Sequence, residues 1–125
     1  MLKHLREEIM REGGFVNAHA HFDRAYTVNR FSKKEREMKL HEKWKLNDKF
    51  KKTASVDCYR KNIENAVQQQ ISHGVTSACT FVDIDDITYG AAFCAARYVK
   101  KDYAKTFDLK IACQTIKGVI DKKQR

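Results

Sequence analysis

The sequence predicts an α/β fold built on parallel strands, and three observations carry that prediction. Strand-like and helix-like segments alternate along the chain, which is the pattern of βα units. One segment, Val75 to Ile84, reads Val-Thr-Ser-Ala-Cys-Thr-Phe-Val-Asp-Ile. Its small and β-branched residues suit a parallel strand covered on both faces. The segments before and after it are long enough to cross back over a sheet.

Residues Leu2 to Arg11 have helical spacing, with Leu2, Leu5, Ile9 and Met10 on one stripe, and Gly13-Gly14 ends the helix. A leading helix over 1–12 is therefore expected. Strand 1 is expected within 14–22, where Phe15 to Ala20 is mostly apolar. A basic connection over 26–53 follows, predicted to hold a helix around Met38 to Phe50 that docks through Leu40, Trp44, Leu46 and Phe50. Ser55 is an N-cap candidate for the next helix. Asp57 favours its first turn, Ile63, Ala66, Val67, Gln70 and Ile71 form its stripe, and His73-Gly74 ends it. Strand 2 is placed at 75–84. Asp85 or Asp86 is expected to cap a helix running to about Lys105. Strand 3 is placed at 109–116, Leu-Lys-Ile-Ala-Cys-Gln-Thr-Ile.

Composition narrows the class. The chain has 125 residues, 42% hydrophobic and 33% charged, with a formal net charge of +9. That suits one globular domain with a modest core. The excess charge is uneven: Lys33 to Lys52 holds nine Lys or Arg against four acids. A solvated basic face is the plain reading. A nucleic-acid-binding module is the alternative, disfavoured because no binding motif and no regular interleaving of aromatics accompany the charge. Cys58, Cys79, Cys94 and Cys113 form no C-x-x-C pair, and their apolar or helical surroundings predict reduced, buried thiols in a cytoplasmic protein. There is no apolar leader and no run of eighteen apolar residues, so no membrane partner is expected.

The most informative residues are Phe15 to Arg24, Phe-Val-Asn-Ala-His-Ala-His-Phe-Asp-Arg. Strand side chains alternate, so His19 and His21 share a face. Two imidazoles on one face can converge on a cation, and neutral imidazole is the commonest metal ligand. The plain alternative is a histidine pair satisfied by hydrogen bonds or lying on a surface loop. His4, His41 and His73 lack comparable spacing and are expected at the surface or at helix ends.

Gly14 to Asp23, an apolar strand running into His-x-His and then Asp, resembles the first barrel strand of the amidohydrolase superfamily. Asp23 narrows the resemblance to the branch of cytosine deaminase and its relatives. Gly74-Val75-Thr76 leading to Thr80-Phe81-Val82-Asp83-Ile84-Asp85 looks like that branch's Thr-His-Val-Asp segment. Leu109 to Ile120, ending Lys117-Gly118-Val119-Ile120, is similar to its third strand and following loop. The three segments lie in order over about residues 13 to 121. The resemblance implies a partial TIM (β/α)8 barrel. Such a barrel needs roughly 250 residues, so residues 1–125 would supply its first three or so units.

It also implies a chemistry. A divalent metal, zinc or iron, would activate water for attack on a C–N bond of a small amide or N-heterocyclic substrate, in hydrolysis or deamination. His19 and His21 would be the first two ligands. The family's other ligands come from later strands, so this chain alone is expected to be inactive without its C-terminal half or a partner chain. A non-enzymatic remnant or subunit is the second reading. Asp23 is expected to order the loop or a histidine ring. Arg24 is expected to meet an anionic substrate or form a loop salt bridge. Cytosine itself is disfavoured: Phe81 replaces the histidine of Thr-His-Val-Asp, and Ile116 falls where the family's base-reading glutamine stands. Gln114, two residues earlier, could take that role only if the loop shifts.

Overall fold

The computed structural model describes residues 2–115. The Lys117 to Ile120 segment and Ile116, on which part of the resemblance rests, lie outside the described residues. Helix α1 (Leu2–Arg11) leads into β1 (Phe15–Ala20). Two 3-10 turns (Phe22–Arg24 and Thr27–Arg30), a short α2 (Lys33–Arg36) and α3 (Leu40–Thr53) make the first connection, continued by α4 (Val56–Ser72). β2 (Val75–Asp83), α5 (Ala91–Asp102) and β3 (Asp108–Gln114) complete the order. The three strands are parallel in the order β1-β2-β3. Register aligns Ala20 with Thr80, and Asp83 with Gln114, so the carboxyl ends of all three strands lie along one rim.

α4 starts where Ser55 predicts it, the serine side chain accepting from the Cys58 N–H. The α1–β1 joint depends on Gly14, whose φ is +82° and whose missing Cβ would collide with the Thr76 side chain. Only glycine adopts that backbone and leaves Thr76 room to donate to the Gly13 carbonyl at 2.6 Å.

The core lies on one side of the sheet. Tyr59, Ile63 and Val67 of α4 meet Ala92, Ala95, Ala96 and Val99 of α5, with Ala78, Val82 and Leu109 beneath them. The alanines let α5 approach closely. Along β2, Ala78, Thr80 and Val82 are buried while Ser77, Cys79 and Phe81 between them are only half-buried. The strand is therefore not covered on both faces as expected. The helices occupy one face, and the other is half-open.

Three further expectations are corrected. The helix after β2 begins at Ala91 with Gly90 as its N-cap, not at Asp85 or Asp86. Asp85 Oδ1 instead accepts from the N–H groups of Ile87 and Thr88 at 3.2 and 3.0 Å, closing a turn that postpones the helix. α3 does not dock through Leu40 and Trp44, which are exposed; Phe50 meets the core edge-on to Tyr59, and Lys51 is buried. Finally, the cysteines are free but not buried. Cys58 and Cys79 are half-exposed, and Cys94 and Cys113 are exposed.

Candidate functional site

The rim at the carboxyl ends of the strands carries the polar chemistry of the molecule, as parallel sheets arrange it. His19 lies in β1 and His21 just past its end. Their Nε2 atoms converge to 3.3 Å and their ring centroids to 5.1 Å. Strand alternation places them so. The Phe81 ring of β2 stacks on His19 at 4.5 Å between centroids and fixes its plane. The turn that follows is pinned by the Phe22 N–H donating to the buried Thr80 hydroxyl at 2.9 Å.

Arg24 reaches back from the turn and donates from Nη2 to His21 Nδ1 at 2.7 Å. Guanidinium has no acceptor, so Nδ1 of His21 must be the unprotonated nitrogen. Burial, and then the positive charge of Arg24 and the neighbouring His19, hold the His21 pKa below its usual value, which keeps the ring neutral. A neutral ring accepting at Nδ1 carries its proton on Nε2.

Behind the histidines sits a buried ionic cluster. Asp23 Oδ2 accepts from the Asp83 N–H at 3.2 Å, and its Oδ1 from the Arg24 N–H at 3.0 Å, tying the turn after β1 to the end of β2. Burial, and then the adjacent Asp83 carboxylate, push the Asp23 pKa up to about 6. Lys51 of α3, only 4% exposed, places its ammonium 2.7 Å from Asp83 Oδ2 and 2.6 Å from Asp85 Oδ2. Desolvation works to lower the Lys51 pKa, but the hydrogen bonds and charges of the two aspartates outweigh it and raise it. Gln114 donates from Nε2 to Asp83 Oδ1 at 2.8 Å, joining the end of β3 to the same hub.

The structure thus brings His19, His21, Asp23, Arg24 and Gln114 to one rim. The Gln114 amide is committed to Asp83. Asp83, Asp85 and Lys51 complete the cluster without having been singled out. Asp83 and Asp85, two carboxylates at a strand end, are the signal that could have found it. Lys51 has none, since one lysine among nine basic residues in its segment looks solvated. That reading of the segment is corrected for Lys51, which is buried. His4, His41 and His73 are exposed and stand outside the cluster.

The donor set falls short of a divalent-metal site. Two imidazoles converge, but among the described residues no group of three or more His, Cys, Asp or Glu side chains could hold an ion. A catalytic zinc takes three protein ligands plus water. The Arg24 contact also leaves His21 Nε2 protonated, so that nitrogen has no lone pair for a metal in this arrangement. The described residues alone do not fit a closed metal site.

No protein-family model matches the chain. An uncharacterized protein of Haemophilus influenzae is 42% identical over 123 residues, an alignment covering 94% of this chain and 43% of that protein. The chain therefore spans less than half the length of the curated relative it matches. Among the described residues no helix is long and apolar enough to cross a membrane. Among solved structures, the chain is similar to 5-methylcytosine deaminase from Klebsiella pneumoniae, crystallised with 5-fluorocytosine. The TM-score is 0.68 at 25% identity, over 78% of this chain and 23% of the deaminase. The chain is an α/β unit with a three-stranded parallel sheet, similar in fold to part of that deaminase.

Proposed function

We propose that this chain supplies the first three βα units of an amidohydrolase-like barrel. In the completed protein, that barrel hydrolyses or deaminates a C–N bond of a small amide or N-heterocycle. The observation that carries the reading is the convergence of His19 and His21 at the carboxyl end of β1, beside the ends of β2 and β3. The likeness to a deaminase over 78% of the chain supports it.

On this reading His19 and His21 are the two ligands that β1 contributes to a zinc or iron centre, and later strands contribute the rest. The metal would supply Lewis-acid activation of water. The chain's own residues do the remaining work visible here. Phe81 fixes the His19 ring, and the Asp23–Asp83–Lys51 cluster locks the rim on which both histidines stand, while Arg24 must give up its bond to His21 Nδ1 before Nε2 of that ring can ligate. Phe81 in the place of a histidine, and a Gln114 amide already bonded to Asp83, speak against cytosine as the substrate. The cytoplasm is the compartment that four free cysteines suit.

The test joins residues 1–125 to the polypeptide corresponding to the remainder of the Haemophilus influenzae relative, and compares that chain with the same chain carrying H19A or H21A. Metal content after exhaustive dialysis is expected near one equivalent in the parent and lost in both variants. Ammonia release from a panel of amides and amino-heterocycles should fall with it. Full metal retention by both variants would overturn the ligand assignment.

A further inference from the structure

A cleft of about 360 Å³ lies between α3 and the turn after β1. Trp44, Asn47 and Lys51 line it from α3, and Arg24 lines it from the turn. Those three residues follow one another at spacings of three and four, so they share one face of the helix. Lys51 is buried among the carboxylates at the end of β2, which fixes that face toward the rim. Arg24 donates to His21 Nδ1, so one wall of the cleft is shared with the imidazole pair.

The charges in these walls are already answered. The Arg24 guanidinium lies 4.0 Å from Asp23 and 3.8 Å from Asp83. Lys51 sits between Asp83 and Asp85, and Asp48 has a partner of its own. Lys45 is exposed and keeps its ammonium in water. A charged ligand would give up its hydration here without a buried counter-ion left to pair with. Most of the surface lining the cleft is carbon rather than nitrogen or oxygen. What it offers is the flat face of Trp44, 58% exposed, and the half-buried carboxamide of Asn47. An indole face favours another flat ring. A carboxamide holds a donor and an acceptor side by side, and so matches a ligand edge carrying the same pair in reverse.

We propose that Trp44 and Asn47 bind a flat, uncharged ring bearing a lactam or carboxamide edge. The ring lies on the indole, and the edge exchanges two hydrogen bonds with Asn47. Assignment of that ligand as the substrate of the imidazole pair deepens the proposed function and rests on it; the binding itself does not.

The chain has one tryptophan, so a single indole N–H cross-peak in a ¹H–¹⁵N spectrum of residues 1–125 reports the cleft. Three probes separate the two contacts. 2-Pyridone has the flat ring and the lactam edge, 2-piperidone keeps the edge on a saturated ring, and N-methyl-2-pyridone keeps the ring and blocks the donor. 2-Pyridone is expected to shift the peak saturably. 2-Piperidone should bind at least about threefold more weakly for want of stacking. N-methyl-2-pyridone should bind at least about threefold more weakly for want of one hydrogen bond. In N47L, which keeps a good helix former at that position, the two pyridones should bind alike. No saturable shift with 2-pyridone, equal affinity for 2-pyridone and 2-piperidone, or discrimination between the pyridones that persists in N47L would each overturn the proposal. Should N47L fail to fold, equal affinity of the two pyridones for the wild-type chain overturns it instead. The measurement needs neither metal nor turnover, so its failure leaves the metal-retention test of H19A and H21A standing, and the reverse.

Discussion

At the end of β1 one guanidinium decides what two imidazoles can do. Arg24 donates to His21 Nδ1 at 2.7 Å, which leaves the His21 proton on Nε2, the nitrogen facing His19. Replacing Arg24 with Gln removes an obligatory donor, since a glutamine amide can present either its oxygen or its NH₂. R24Q is therefore expected to free the His21 tautomer, seen as a change in its ring ¹⁵N shifts, and to raise zinc affinity at least about tenfold by calorimetry, within the range over which partners of a ligating His tune affinity. Unchanged ring shifts in R24Q would sink this. Asp23 carries a separate pH signature. Its folded pKa, about 6, lies above the ordinary aspartate value of 3.8. A raised carboxyl pKa contributes stability that is fully present below pH 3.8 and is lost as pH rises through 6. The two-unit difference corresponds to about 3 kcal/mol. D23N removes the titration, so the urea-denaturation stability of wild type relative to D23N should fall from pH 4 to pH 7. A pH-independent difference would refute the assignment.

Among the elements, α3 shows how a helix can be visible in sequence while its docking is not. Its existence follows from the helical spacing of Leu40, Trp44 and Phe50, but the hydrophobic stripe misidentifies the inward face. Leu40 and Trp44 face water, and the inward residue at the helix end is Lys51. What turns the helix is charge. Asp83 and Asp85 are buried at the end of β2, and a lysine from α3 neutralises them both. Such a contact joins positions more than thirty residues apart and leaves no periodic mark. α4 is the opposite case: its cap at Ser55, its stripe and its Gly74 stop are local, so its bounds are read directly. Asp85 misleads for the same reason that Lys51 does, because its local signal as a helix cap is spent on a turn and a tertiary ion pair. K51M keeps the length of the side chain and strands two buried carboxylates. It should cost about 3–5 kcal/mol, read as a lowered urea midpoint or as outright loss of the far-ultraviolet helical signal. The triple variant K51M/D83N/D85N should recover much of that loss. Failure to recover would mean that Lys51 acts through packing rather than charge.

At the scale of the molecule, the sheet has a helix-covered face, a half-open face and two strands with an unpaired edge. β1 is the more exposed edge, with Val16 70% and Phe15 46% accessible. Apolar edges of this kind are what proteins ordinarily pair or cover. His19, Phe81 and Cys79 lie on or beside the half-open face, where an isolated soluble unit would favour polar residues. The histidine pair was legible because strand alternation and His-x-His are local features. What covers the free edges of β1 and β3 was not, since a strand carries no local mark of its pairing partner. The 42%-identical relative is more than twice as long as the aligned region, so the polypeptide corresponding to its remainder is the one that tests the proposed barrel. Joined to that polypeptide in one chain, β1 and β3 should pair at their free edges. The amides of Val16 and Cys113 are expected to slow in hydrogen exchange at least about tenfold relative to residues 1–125 alone, because fully paired strands open only with larger units. The isolated 125 residues, with two imidazoles and one of those proton-blocked, should show no chelator-sensitive hydrolysis, while the joined chain should retain zinc through dialysis. Unaltered exchange at both edges on joining would exclude the barrel arrangement, and chelator-sensitive turnover by the 125 residues alone would show that their site is already complete.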